Sequence, residues 1–189
     1  ALEENPVYLR RIRLYEVVEK YKDKYIDVER ERTVVRFMDD EKGDWLLYQK
    51  PSVENAFTNV GGGFEAKNTI NYKIGVDTYK NIFAENGSKG TICVFKDSCI
   101  IEGVETGLYP VAFFVGRPQL IKQFNREVYK ACLWYGGKVN FESDAGSWFY
   151  ENFFEWEALK LLEWTPARQL NNTHKKTQTI KPGSESANP

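Results

Sequence analysis

From Leu120 to Tyr135 one apolar stripe recurs at helical spacing: Leu120, Ile121, Phe124, Val128, Cys132 and Tyr135. Pro118 suits the first position of such a helix, and Gly136-Gly137 stops it. Residues on both sides follow a period of two. Tyr72, Ile74 and Val76 alternate with Lys73, Gly75 and Asp77. Gly90–Phe95 and Tyr109–Val115 read as two more strands, with Pro110 near a strand start, where it is tolerated. After the helix, Lys138–Ser143 sets Val139 and Phe141 against Asn140 and Glu142. Ser147–Glu157 reads as an aromatic-rich second helix and Leu159–Trp164 as a fifth strand. A single-faced helix between strands must cover a sheet. The order βββαβαβ therefore predicts an α/β fold with a mixed sheet of about five or more strands flanked by helices.

The remainder of the chain is less patterned. Residues 1–45 carry 10 Lys+Arg and 12 Asp+Glu. Leu9, Ile12, Tyr15, Val18 and Tyr21 or Tyr25 predict an amphipathic helix over roughly 7–25. Pro51 opens a segment in which Ser52 caps a helical turn running to Phe57, with Asn55 at the capping-box position. Gly61-Gly62-Gly63 marks a boundary. Residues 1–60 are thus expected to be a helical and linker segment, 61–166 the folded domain, and 167–189 a flexible basic tail in which Glu185 is the only acid.

A length of 189 residues fits one domain plus an appendage, and the first residue is not Met, so the chain reads as a piece of something longer. A net charge of −1 argues against a wholesale polyanion binder but leaves room for local patches, and 42% apolar residues suffice for a core. Cys93, Cys99 and Cys132 form no C-x-x-C pair, which argues against a disulfide scaffold or zinc finger and for a reducing cytosol. They are read as buried small apolar residues. Neither a membrane span nor a signal peptide is expected.

The chemistry centres on carboxylates. Asp77 ends an otherwise apolar strand, where a carboxylate is expensive unless capped, paired or bound to metal. Read alone, it is as well a turn cap. Glu142 lies near the end of a second strand on the polar side of its alternation. If the two strands are neighbours, the carboxylates meet at one edge and offer the hard oxygens that Mg²⁺ or Mn²⁺ needs. Asp144 is read first as a cap for the helix near Ser147 and second as a third oxygen ligand. His174, the only histidine, lies in the tail, so neither a histidine-activated nucleophile nor a histidine zinc site is expected. Neither glycine run has the Lys-Ser or Lys-Thr of a phosphate loop. The aromatics of 147–164 are read as core rather than base-stacking groups.

Taken together, Ile74-Gly-Val-Asp77, two further strands, Gly116-Arg-Pro118, a long helix, Val139-Asn-Phe-Glu142 and an aromatic helix resemble the nuclease domain of phage terminase large subunits. Lys50–Phe57 is similar to the family's segment joining ATPase to nuclease, with Pro51, Ala56 and Phe57 matching; Lys50 replaces a Tyr and Asn55 a Glu. The resemblance covers most of 50–166.

It implies a ribonuclease H-like fold and a two-metal endodeoxyribonuclease, with Asp77 bridging two Mg²⁺ or Mn²⁺ ions and Glu142 as a further ligand. One ion would activate a water for attack on a phosphodiester and the other would stabilise the leaving oxygen. The implied task is cutting concatemeric viral DNA in the host cytoplasm. The implied partners are double-stranded DNA, a terminase ATPase domain, the small terminase subunit and the portal, with no membrane. The family's third carboxylate falls in a later helix, where this chain has no helical pattern, so the expected cluster is incomplete as written. Lys73, Lys80 and Arg117 flank the strand ends and Lys175, Lys176 and Lys181 lie in the tail; these are the expected DNA contacts. The competing readings are a non-catalytic DNA-holding or portal-docking module that kept the fold, and another ribonuclease H-like enzyme such as a resolvase or transposase.

Overall fold

The computed structural model describes residues 9–22, 27–60, 64–66, 72–79, 87–97, 99–101, 104–106, 109–141, 146–165 and 181–182. The first 60 residues are built of strands, not helix. β1 (Arg10–Lys22) and β2 (Glu29–Asp39) form a long antiparallel hairpin, followed by β3 (Trp45–Leu47) and β4 (Phe57–Val60). Next come β5 (Phe64–Ala66), β6 (Tyr72–Asp77), β7 (Gly90–Lys96), β8 (Cys99–Ile101), β9 (Val104–Thr106) and β10 (Tyr109–Gly116). Then follow α1 (Ile121–Tyr135), β11 (Lys138–Phe141), α2 (Gly146–Glu155), a 3-10 turn at Leu159–Leu161, β12 (Trp164–Thr165) and β13 (Lys181–Pro182).

The predicted helix over 7–25 fails because, of the residues that suggested it, Ile12 is buried while Leu9, Tyr15 and Val18 face outward. Leu9 is 57% and Val18 63% exposed, whereas Ile12 and Leu14 are each 1% exposed. The true period is two, and the polar face is filled by charges that pair across the hairpin. Arg32 and Arg36 both bind Glu19, and Arg10 binds Asp39. Such cross-strand pairs stabilise a sheet as i,i+4 pairs stabilise a helix.

Among the described residues, nine strands form one mixed sheet in the order β11-β6-β7-β10-β3-β1-β2-β4-β5. Most neighbours are antiparallel, but β11 runs parallel to β6. Among the described residues, two further antiparallel pairs form separate two-stranded sheets, β8 with β9 and β12 with β13. The architecture is therefore mixed α/β. The hairpin belongs to the same sheet as the later strands, and Ile12, Leu14, Val35, Trp45 and Leu47 join the same buried cluster as Ile74, Val94 and Phe124. The expected boundary near 60 thus does not separate two cores.

Helix α1 lies on the face that carries Tyr72, Ile74 and Val76. Phe124, Val128, Cys132 and Tyr135 are buried as the stripe requires, while Leu120 stays 57% exposed. The helix begins at Ile121, after Gln123 Oε1 accepts a hydrogen bond from Leu120 N at 3.2 Å. It ends at Gly136, whose φ of 70° is the left-handed conformation that glycine adopts without strain. α2 covers the same side: Phe141 stacks on Phe149, and Phe149 on Phe153.

Two further expectations are corrected. Leu159–Trp164 is a 3-10 turn followed by an extended Leu162 that makes one parallel bridge to Val139, and the strand itself is confined to Trp164–Thr165. Its buried Leu161 and Leu162 are consecutive, which an alternating strand facing one core would not allow. Residues 52–56 form bends and a turn that lead into β4 at Phe57, not a capped helical turn. Asn55 has φ of 53°, and its side chain mimics a neighbouring strand: Oδ1 accepts from Val35 N at 2.6 Å and Nδ2 donates to Val35 O at 2.9 Å. Within the tail, Lys181–Pro182 pairs with Trp164–Thr165.

Candidate functional site

Strand β6 puts apolar side chains on α1 and presents Lys73, Gly75 and Asp77 on the opposite face. Asp77 is the last residue of the strand, pairs with Thr91 of β7 and is exposed. Among the described residues its carboxylate has no hydrogen-bond or ion-pair partner. The parallel register beside it sets Lys138 against Lys73, Val139 against Ile74, Asn140 against Gly75 and Phe141 against Val76. Glu142 follows Phe141 directly in the chain. Glu142 and Asp144 lie outside the described residues, as do Lys80, Lys175, Lys176, His174 and Gly61-Gly62-Gly63. Lys181 falls in β13.

The other side of this sheet end is made by the close of β10. Gly116 pairs with Gly90, one residue from Thr91. Arg117 follows. Its Nη1 donates to Ser88 O at 2.6 Å, and its guanidinium lies 5.0 Å from the Tyr79 ring centre. A Cβ on Gly87 would stand 2.0 Å from Arg117 Nη1, so glycine lets the guanidinium approach the backbone there. Tyr79 donates its hydroxyl to Pro118 O at 2.7 Å and meets Phe124 edge-on. Burial raises the Tyr79 hydroxyl pKa, and the Arg117 charge partly offsets it. Arg117 is thus a fixed cation at the same sheet end as Asp77.

Lys73 does not flank that end. It lies four residues back along β6, ~13 Å at strand rise, and pairs with Asp97 at 3.8 Å. The residue that sequence reasoning passed over is Lys138, its exposed in-register neighbour. The signal was there in the alternation, since Lys138, Asn140 and Glu142 share one phase. Asn140 also differs from its neighbours, because its Oδ1 is buried without a hydrogen-bond partner among the described residues.

Cys93 and Cys132 are buried thiols, as expected, whereas the side chain of Cys99 lies outside the described residues. Burial pushes Cys93 up to about 12 and Cys132 further in the same direction. Cys99 lies in β8.

Asp77 supplies a solvent-open carboxylate oxygen donor with no partner among the described residues, the donor type that suits Mg²⁺ or Mn²⁺. Among the described residues no three His, Cys, Asp or Glu side chains cluster in a way that would hold a metal. No helix among them is long and apolar enough to cross a membrane. Comparison with protein-family models, curated proteins and solved structures found no match for the chain.

Proposed function

We propose that the chain is the metal-dependent endonuclease portion of a viral DNA-packaging terminase, with a ribonuclease H-like fold. The observation that carries this reading is the order β10-β7-β6-β11, with Asp77 at the end of β6. Three antiparallel strands are followed by a long helix that crosses to a fourth strand parallel to the first. This is the arrangement that the sequence resemblance implies. The parallel bridge of Leu162 to Val139 and the placement of α2 after β11 agree with it.

In this reading Asp77 holds the divalent ions together with Glu142, and Asp144 is a helix cap. A bound divalent pair supplies an activated water and charge stabilisation at a phosphodiester. The chain's own part is positioning. Rigid β6 fixes the Asp77 carboxylate, and Arg117, stacked and anchored, offers a cation to DNA phosphate at the same end. The substrate is concatemeric duplex DNA in the host cytoplasm, and the partners are the terminase ATPase domain, the small subunit and the portal.

The experiment is conversion of supercoiled plasmid to nicked circles. Slow, sequence-independent nicking is expected with Mn²⁺, less with Mg²⁺ and none with EDTA. Mn²⁺ is favoured because Mg²⁺ demands a near-ideal octahedron. No nicking under any of these conditions would sink the reading.

A second reading, a non-catalytic docking module, draws on α2. Trp148 and Phe154 are 63% and 65% exposed there. Large aromatics left in solvent are a feature of interaction surfaces.

A further inference from the structure

We propose that the face of β6 and β11 opposite α1 is a nucleic-acid track, on which Lys73 and Lys138 hold a backbone phosphate ~13 Å from Asp77. This rests on the nuclease reading for its direction, since it extends the substrate away from the proposed cutting edge.

The parallel register sets Lys138 beside Lys73 on one face, and both are exposed. Like charges side by side on neighbouring strands repel, so the sequence spends stability to keep them together. A phosphodiester between them turns that repulsion into two charge-assisted contacts. Their existing partnerships are weak. Lys73 reaches Asp97 only at 3.8 Å, with both side chains well exposed, and Lys138 has no partner among the described residues.

The third member of the row is Phe95 on β7, which pairs with Lys73 and is half-buried. Its Cε2 lies 3.7 Å from where a Cβ on Gly75 would be, so the ring leans along the face toward Asp77. Two ammonium groups beside an aromatic ring is the combination that tracks a nucleic-acid backbone and stacks a base. Between the lysines and Asp77 the face is low, for Gly75 carries no side chain. Asn140, in register with it, keeps a buried amide oxygen with no partner among the described residues. A cationic end, a low middle and an anionic end match a strand held at one point and cut at another. An acidic protein segment would satisfy the lysines but has no use for the ring or for Asp77.

The test uses the full chain and a short labelled duplex of mixed sequence, with binding read by fluorescence anisotropy in EDTA from about 50 to about 200 mM salt. Lys73→Gln and Lys138→Gln should each flatten the slope of log affinity against log salt by about 0.9, and the double variant by about 1.8. Lys73→Arg with Lys138→Arg should keep the wild-type slope, which separates a charge effect from misfolding. Lys20→Gln, four strands away along the sheet, should leave the slope unchanged. A wild-type slope in the double Gln variant, or equal flattening by Lys20→Gln, overturns the proposal. Binding is also read in the Asp77→Ala background. A chain that never cuts DNA but shows the flattened slope supports the track and retires the nuclease reading. A chain that cuts DNA but keeps its slope in the double variant does the reverse.

Discussion

Asp77 is exposed at a strand end with no described partner, and that fixes what its removal does. Asp77→Ala should abolish Mn²⁺-dependent nicking and shift unfolding free energy by no more than ~0.5 kcal/mol, the range of surface substitutions. A buried Asp77 would have relieved a desolvation penalty on removal, but its exposure takes that gain away. Glu142→Gln should cost activity heavily, because an amide offers a neutral oxygen in place of a charge. Asn55 is the opposite kind of residue. Its side chain holds both backbone groups of Val35, so Asn55→Ala should destabilise by about 1–3 kcal/mol in urea unfolding, with no direct effect on DNA binding. Buried Cys93 and Cys132 set a pH limit. The native Cys93 thiol is pushed up to about 12 while the unfolded one ionises near ~8.5, so the native state binds more protons in between. Stability is therefore complete below ~8.5 and falls as pH rises, by at most ~1.4 kcal/mol per pH unit for each buried thiol. Urea midpoints at pH 8 and pH 10 should show the drop, and Cys93→Ala should make it shallower.

At the scale of elements, what was legible followed the strength of the local period. Tyr72–Asp77, the strand starting at Gly90, the strand at Tyr109 and the helix ending at Gly136 all lie where their alternation or stripe puts them. The N-terminal hairpin was misread because Leu9, Ile12, Tyr15 and Val18 are spaced by three. Only tertiary contact tells which of them are buried. Its register is held partly from outside. Arg126 of α1 donates to both carboxylate oxygens of Glu16, at 2.7 and 2.6 Å. The same guanidinium lies 4.3 Å from the Tyr129 ring centre and 4.7 Å from that of Trp156. It joins the hairpin, α1 and the chain beyond α2 through one planar cation, and lysine has no plane to stack. Arg126→Lys should cost ~1–2 kcal/mol in thermal or urea unfolding, and a double-mutant cycle with Glu16→Gln should show coupling of ~1 kcal/mol. A cycle near zero would mean that the stacking, not the ion pair, holds the hairpin. Nothing local in Arg126 announced this role, because its partner lies 110 positions away.

At the scale of the whole molecule, the parallel pairing of β11 with β6 is the fact on which the functional account turns. It follows from the long helix between β10 and β11, which returns the chain to the far side of β6. That much could be anticipated from the order of elements. The extension of the sheet by β3, β1, β2, β4 and β5 could not, since β1 and β2 are charge-rich, β3, β4 and β5 are only three or four residues long, and their pairing is non-local. Lys73 was misplaced for a related reason: sequence proximity to Asp77 does not say which end of a strand a residue occupies. The account's central claim is tested most directly by plasmid nicking in Mn²⁺ with wild type and Asp77→Ala side by side. Nicking by wild type, its loss with EDTA and its absence in a folded Asp77→Ala variant are the predicted results. Equal nicking by both proteins, or none by either, would contradict a metal-dependent nuclease built on β6.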